Sequence, residues 1–122
     1  AWVVHGHGGL DELSLAGNNH VHDTSGGVTS VDAESIGLTR ASNDRLRGDD
    51  PTRNATIVRE VLESRLHGPI RDVVVLNAAA ALVVAGVARD LAGGALLATA
   101  AIDSGTARAT LDAFVRETTL NS

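Results

Sequence analysis

The order of patterns along the chain predicts an α/β fold in which about three strands come first and four helices follow. Short apolar or alternating runs bounded by glycine occupy the first 31 residues, and helix start and stop signals occupy the stretch after residue 50. No internal repeat or linker-like segment interrupts the 122 residues, a length that fits one domain. Residues 1–122 are therefore predicted to form a single, partial domain.

The predicted strands all lie near the start of the chain. Residues 1–5 form a continuous apolar run that ends at Gly6, a pattern typical of a strand covered on both faces. Asn19–Asp23 and Val28–Val31 flank the sequence Thr-Ser-Gly-Gly and are predicted to form a β-hairpin. Residues 32–46 are polar and irregular, with short helical turns expected near 33–35 and 43–45.

The first two helices have clear sequence boundaries. Asp50 is a natural N-cap for a helix that begins at Pro51, and an apolar stripe predicts that this helix continues until Gly68. The second helix follows and runs to Ala85. It is apolar on nearly every side, which is typical of a helix inside a larger body.

The last two helices are separated by Ser104-Gly105. Asp90 is the predicted N-cap of the third, which extends to about residue 103 and is weakened by its two adjacent glycines. The apolar stripe of the fourth consists of Ala107, Leu111, Phe114 and Val115. Because three strands cannot bury the faces of four helices, we expect this chain to be part of a larger domain.

The composition argues against several functional classes. Fifteen acids outnumber ten arginines, and the net charge of −5 disfavours a surface for nucleic acid or anionic membrane. The absence of cysteine excludes a disulfide framework, a thiolate metal site and a cysteine nucleophile. No apolar run approaches the roughly 20 residues that a membrane span needs. We expect a soluble protein of the cytoplasm.

The candidate site is a glycine-rich turn followed by two acids, Asp11 and Glu12, which we call the acidic pair. Glycines at a strand end let the backbone approach a ligand closely and expose its N–H groups. One or two carboxylates can hold a hard divalent cation whose other positions go to water and substrate phosphate. These residues predict a magnesium–pyrophosphate site. An acidic cap for a helix that begins near Leu13 explains them equally well and stays open.

The histidines favour a different metal site. His5 with His7, and His20 with His22, are spaced by two residues, which places each pair on one face of a strand. Together with one carboxylate of the acidic pair they could bind zinc or iron. Because His7 lies beyond the predicted end of its strand, this His-rich metal site is the weaker alternative.

Four segments, in order, resemble motifs of the anthranilate phosphoribosyltransferase family: VVHGHGGLDELSL, RGDDPTRNATIVREVL, GPIRDVVVLNAAAALVVAG and AIDSGTA. The likeness covers essentially the whole chain. It implies the C-terminal part of a phosphoribosyltransferase/nucleoside-phosphorylase-like α/β domain with a mostly parallel central sheet. It also implies an enzyme of tryptophan biosynthesis that transfers phosphoribosyl from phosphoribosyl pyrophosphate to anthranilate and releases pyrophosphate.

The resemblance assigns Asp11 and Glu12 to Mg²⁺ and assigns no catalytic side chain, because the nucleophile is the amine of the substrate. Members often carry an acid where this chain has His7 or Gly8. The family's Gly-Thr-Gly-Gly-Asp pyrophosphate loop does not occur in the sequence. Nor does the N-terminal helical domain through which the whole enzyme is expected to form a homodimer. We therefore expect this chain to be inactive by itself.

Two further expectations follow. Some relatives of the family bind nucleic acid without catalysis, but such a protein needs a basic surface, and this chain is acidic. In the isolated chain, the second helix and the strand at residues 2–4 would expose apolar surface and a sheet edge. Such surfaces promote self-association, which we expect of this chain alone.

Overall fold

The computed structural model describes residues 1–120, which form one antiparallel sheet followed by helices. The strands are β1 (Trp2–His5), β2 (Asn19–Asp23) and β3 (Val28–Val31), in the sheet order β1-β2-β3. The predicted hairpin is confirmed, with Asn19 opposite Val31. All three strands pair antiparallel, so the parallel pairing that the resemblance implies for the whole domain does not occur among these residues.

The predicted order of helices is confirmed. The four α-helices are α1 (Pro51–Leu62), α2 (Pro69–Val84), α3 (Leu91–Asp103) and α4 (Thr106–Leu120), and short 3-10 turns cover Ala33–Ile36 and Asn43–Leu46. Two predicted N-caps form as expected. The Asp50 carboxylate accepts the Arg53 N–H at 2.9 Å, and the Asp90 carboxylate accepts the Gly93 N–H at 2.7 Å.

The prediction that α1 continues to Gly68 is wrong, because the helix ends at Leu62. Ser64 adopts a left-handed conformation with φ of 56°, and the Arg65 N–H donates to the Glu60 carbonyl at 2.9 Å, which turns the chain. Leu66 still packs against the helical core from the loop. Leu66 stands at the sequence spacing of the apolar stripe of α1, although it lies in the loop after the helix, and this spacing caused the error in the predicted end of the helix.

Two of the sequence motifs meet in a structural link between the helices. Arg71 in α2 is only 7% exposed and donates to the Ser64 hydroxyl and to the Asp103 carboxylate, both at 2.7 Å. Hydrogen bonds from Ser64 and then from Arg71 hold the pKa of Asp103 below its usual value. The arginine of the Arg-Asp motif and the aspartate of the Ile-Asp-Ser-Gly motif therefore join α2 to the end of α3.

The apolar core has two parts that share α2. The first part packs the sheet and the loop after β1 against α2, and it consists of Leu13, Leu15, Val21, Val31, Ala33, Leu76 and Ala80. The second part joins the helices, and it consists of Val61, Val75, Ala79, Ala95, Ala98 and Ile102. Since α2 contributes to both, it is the element that relates the helices to the loop that follows β1.

Some apolar surface stays uncovered. The strand β1 is covered on one face only, because Trp2 and Val4 pack on the core whereas Val3 is 63% exposed, as expected for a chain that lacks the elements predicted to cover the other face. An apolar groove of about 440 Å³ lies along α2, α3 and α4, with Val74 and Leu97 in its lining. Within residues 1–120 no helix has the length and apolar character needed to cross a membrane.

Gly94 has a packing role that the sequence did not reveal, and alanine at this position is expected to destabilise the fold. A Cβ here would lie 2.7 Å from the carbonyl oxygen of Ala79, so α3 can approach α2 only without a side chain at this point. We expect Gly94→Ala to lower the free energy of unfolding by about 1–3 kcal/mol in urea denaturation.

Gly93→Ala is the matched control for this prediction. Its Cβ would meet only the Asp90 carboxylate, at 3.2 Å, and alanine favours the helix by up to about 1 kcal/mol over glycine. We expect a small effect of either sign. Equal destabilisation by the two variants would contradict the close approach at Gly94.

Candidate functional site

The glycine-rich turn after β1 closes on itself. The Gly6 N–H donates to the Leu10 carbonyl at 2.9 Å, and the Gly9 N–H donates to the Gly6 carbonyl at 3.0 Å. Gly8 and Gly9 have φ of 79° and 86°, a region that side chains rarely allow. The acidic pair therefore comes directly after a tight turn whose shape depends on its glycines.

Gly6 permits a contact within the chain itself. It is buried, and a Cβ at this position would lie 2.0 Å from the carbonyl oxygen of Glu12. The turn brings the end of β1 against the backbone of the acidic pair, closer than any side chain at Gly6 would allow. The sequence predicted that the glycines let the backbone approach a ligand closely; at Gly6 the close approach in the structure is to the backbone of Glu12.

The loop that carries the acidic pair is tied to the sheet by Asn19. This side chain is fully buried in β2, and its Oδ1 accepts the N–H of His7 at 3.0 Å and of Ser14 at 2.7 Å. Its Nδ2 donates to the carbonyls of Ser14, Gly17 and Val31. One side chain therefore satisfies backbone groups in three segments of the chain.

Asn43 connects the loop to the second 3-10 turn. Its Nδ2 donates to the His7 carbonyl at 2.9 Å, and its Oδ1 accepts the Ser14 hydroxyl at 2.6 Å. Ser14 is fully buried, and the Asn43 amide that it contacts is not a base. Its hydroxyl therefore supports the loop and is not a nucleophile.

Asn77 holds the loop from α2. Its Oδ1 accepts the Leu13 N–H and its Nδ2 donates to the Leu13 carbonyl, both at 2.9 Å, and the same Nδ2 donates to the Val73 carbonyl at 3.0 Å. We refer to Asn19, Asn43 and Asn77 as the asparagine clamp. Sequence reasoning missed this clamp. Its one visible signal was a polar residue within the otherwise apolar stretch of α2.

The two carboxylates of the acidic pair extend into solvent. Asp11 and Glu12 are exposed, and neither carboxylate takes part in a hydrogen bond or ion pair with residues 1–120. The helix-cap alternative is wrong, since no helix begins at Leu13, and the following segment is instead buried in the core. Two unpaired carboxylates on a fixed backbone suit a hard divalent cation, with water and phosphate completing its ligands.

The structure does not support the His-rich metal site. His5 and His20 lie opposite each other on the exposed face of the sheet, with His22 on the same face, whereas His7 lies beyond the end of β1. Among residues 1–120, no group of three or more histidine, aspartate or glutamate side chains is arranged to hold a metal ion. A metal ion bound by the two carboxylates of the acidic pair would need water or a substrate to supply its remaining ligands.

A polar groove of about 500 Å³ runs along residues 40–44 and includes Asn43 of the clamp. Its arginine, Arg40, is paired with the carboxylates of Asp32 and Glu34. The hydrogen bond from Arg40 is the main reason that the pKa of Asp32 is below its usual value. The positive charge of Arg40 is thus already neutralised by neighbouring acids.

The chain matches a family model and several curated relatives. The model for the glycosyl transferase family, a/b domain, matches residues 1–108. Anthranilate phosphoribosyltransferase of Rhodopseudomonas palustris (strain TIE-1) is 50% identical over 117 residues, which cover 93% of this chain and 34% of the relative. The same enzyme of Rhodospirillum rubrum is 51% identical over 114 residues, covering 91% and 33%. The chain spans about a third of the length of these relatives.

Solved structures show the same architecture. Anthranilate phosphoribosyltransferase from Thermus thermophilus matches with a TM-score of 0.89 at 37% identity, covering 95% of this chain and 35% of that one. The enzyme from Saccharomyces cerevisiae in complex with PRPP and Mg matches with a TM-score of 0.87 at 28% identity, covering 94% and 33%. The predicted fold class is therefore confirmed.

Proposed function

We propose a function for this chain from the premise that it belongs to the glycosyl transferase family, a/b domain. The chain supplies the magnesium-binding loop of an anthranilate phosphoribosyltransferase, which transfers phosphoribosyl from phosphoribosyl pyrophosphate to the amine of anthranilate and releases pyrophosphate. The observation that carries this proposal is a fixed loop with two unpaired carboxylates, in a chain about 50% identical to relatives of that name. The nucleic-acid-binding alternative is not supported, because the chain carries a net charge of −5.

The residues of this chain have distinct roles in the proposed reaction. Asp11 and Glu12 hold Mg²⁺ through their carboxylates, and Gly6 lets the turn close against the Glu12 backbone. Bound magnesium would neutralise the negative charge that develops on the departing pyrophosphate. No side chain of the loop is assigned a proton transfer, because Ser14 is bound to the Asn43 amide and the amine of anthranilate is the nucleophile.

The chain is proposed to form the C-terminal part of the α/β domain of a longer cytoplasmic enzyme that acts as a homodimer. Two observations support this: the relatives are about three times as long, and apolar surface on β1 and along α2 is uncovered. The chain alone is not expected to catalyse the reaction, because its sequence lacks the Gly-Thr-Gly-Gly-Asp loop. The predicted self-association of the isolated chain can be checked by sedimentation velocity.

A chimera tests the proposal directly. This chain replaces the matching third of the Rhodopseudomonas palustris relative, and the chimera is assayed for magnesium-dependent conversion of anthranilate with phosphoribosyl pyrophosphate. We expect turnover, and we expect Asp11→Ala combined with Glu12→Ala to reduce it by about a thousandfold or more, as loss of a metal site removes its charge stabilisation. Binding of phosphoribosyl pyrophosphate, measured by calorimetry, should lose its magnesium dependence in the same variant.

Asp44→Ala is the control, since it removes a carboxylate that is 83% exposed and outside the acidic pair. It should leave turnover within about twofold of the parent chimera, as exposed substitutions usually do. A chimera that folds and turns over equally well with and without the acidic pair would refute the assignment of Asp11 and Glu12.

A further inference from the structure

We propose that Asn77 is a positioning residue for the acidic pair: from the middle of α2 it fixes the backbone directly after Glu12 and thereby sets where both carboxylates stand. This inference rests on the proposed magnesium-binding role of Asp11 and Glu12. It assigns to Asn77 a task in metal binding although its side chain contacts neither carboxylate.

The chemistry of the contact requires a carboxamide. Asn77 accepts the N–H of Leu13 and donates to the carbonyl of the same residue, both at 2.9 Å, across 64 residues of sequence. A primary amide presents an acceptor and a donor side by side, which a carboxylate or an apolar side chain of similar size does not. Its third bond, to the Val73 carbonyl one turn earlier in α2, fixes the orientation of the amide.

The backbone of the acidic pair is held from two sides. The Glu12 carbonyl oxygen lies 2.0 Å from the position that a Cβ of Gly6 would take. The next residue, Leu13, is bound by Asn77, and its side chain is 1% exposed in the core. The side chains of Asp11 and Glu12 themselves are exposed and unpaired. Fixing the backbone removes the ordering cost from metal binding, which is the usual way that supporting residues raise affinity.

Asn77 differs from the other members of the clamp in that it binds the residue next to the acidic pair. Asn19 is wholly buried, and its five bonds tie several loop segments to the sheet, so its loss would disturb the fold more widely. Asn43 binds His7 and Ser14, which do not adjoin the acidic pair. Asn77 alone among the three binds the residue next to Glu12, and it is only partly buried.

The test measures the binding of Mn²⁺, a stand-in for Mg²⁺, by the chimera described above, in which this chain lies within a complete enzyme. Free Mn²⁺ is followed by electron paramagnetic resonance for wild type, Asn77→Leu and Asn77→Asp, at a temperature where circular dichroism shows each protein folded. We expect Asn77→Leu to weaken Mn²⁺ binding about tenfold or more. Asn77→Asp keeps the acceptor for the Leu13 N–H but turns a carboxylate oxygen toward the carbonyls of Leu13 and Val73, so we expect a measurable loss in this variant also. It provides a second measurement if Asn77→Leu does not fold.

A merely structural role would leave a different signature. Val74→Ala, on the same helix but lining the apolar groove, is the control and should bind Mn²⁺ as wild type does. Hydrogen exchange of the Leu13 amide should become faster in the Asn77 variants, which reports the release of the loop. If that exchange becomes faster while Mn²⁺ affinity stays within about twofold of wild type, the inference is overturned.

A double variant of the acidic pair distinguishes failure of the Asn77 inference from failure of the proposed magnesium-binding function. The Asp11→Ala, Glu12→Ala double variant should bind Mn²⁺ far more weakly than any Asn77 variant. If the double variant binds Mn²⁺ as wild type does, the acidic pair is not the metal site and the proposed function itself fails. If only the double variant loses affinity, the proposed function stands and the role of Asn77 is refuted.

Discussion

Replacing Gly6 by alanine is expected to destabilise the chain by about 3 kcal/mol or more and to abolish the metal binding proposed for the acidic pair. The new Cβ would lie 2.0 Å from the carbonyl oxygen of Glu12 and 2.9 Å from the Cβ of Leu10, both far inside normal contact. The oxygen belongs to the backbone and cannot rotate away as a side chain would. The end of β1 and the acidic pair must therefore separate.

Urea denaturation measures the loss in stability, and the fluorescence of Trp2, the single tryptophan, reports it from β1 itself. Mn²⁺ titration of the folded fraction measures the loss of binding. Gly9→Ala is the matched control, because its φ is 86° but nothing lies within 4 Å of the added Cβ. Gly9→Ala should lower the free energy of unfolding by only roughly 1–2 kcal/mol, the cost of alanine in a left-handed conformation. Equal losses in the two variants would show that turn conformation, and not the contact with Glu12, limits the fold.

Asn19→Ala is expected to lower the free energy of unfolding by about 4 kcal/mol. The variant removes the five hydrogen bonds that the Asn19 amide makes to the N–H groups of His7 and Ser14 and to three carbonyls. All of these groups except the His7 N–H belong to buried residues. Buried backbone groups without partners are among the larger single costs in a folded protein, and here they depend on one side chain. Thermal and urea unfolding of the chain measure the effect.

The neighbouring asparagine provides the control for this prediction. Asn18 is exposed, and we expect Asn18→Ala to change stability by no more than about 0.5 kcal/mol. Asn19→Asp does not rescue the loss, because it removes all three donated bonds and places a carboxylate in the interior. A stable Asn19→Ala variant, within about 1 kcal/mol of wild type, would contradict the role of Asn19 as the support of the loop.

The location of the acidic pair was predictable, but its support was not. A glycine-rich turn followed by Asp11 and Glu12 is visible in the sequence, and the resemblance assigned magnesium to it. The same stretch was also compatible with a helix cap, and the structure removed that alternative by placing Leu13 in the core. The magnesium loop and the helix cap differ in what Leu13 contacts. In the structure Leu13 is bound by Asn77, which lies 64 residues later in the sequence, so no local pattern could reveal the contact.

The elements and their order could be predicted from local sequence: the hairpin, the N-caps at Asp50 and Asp90, and the succession of three strands and four helices. These depend on residues a few positions apart, whose propensities and hydrogen bonds act locally. The end of α1, the need for Gly94 in α3 and the hydrogen bonds from Asn77 to the residue after the acidic pair became visible in the three-dimensional structure. Those features depend on contacts between segments far apart in the chain, which leave no periodic or local pattern in the sequence.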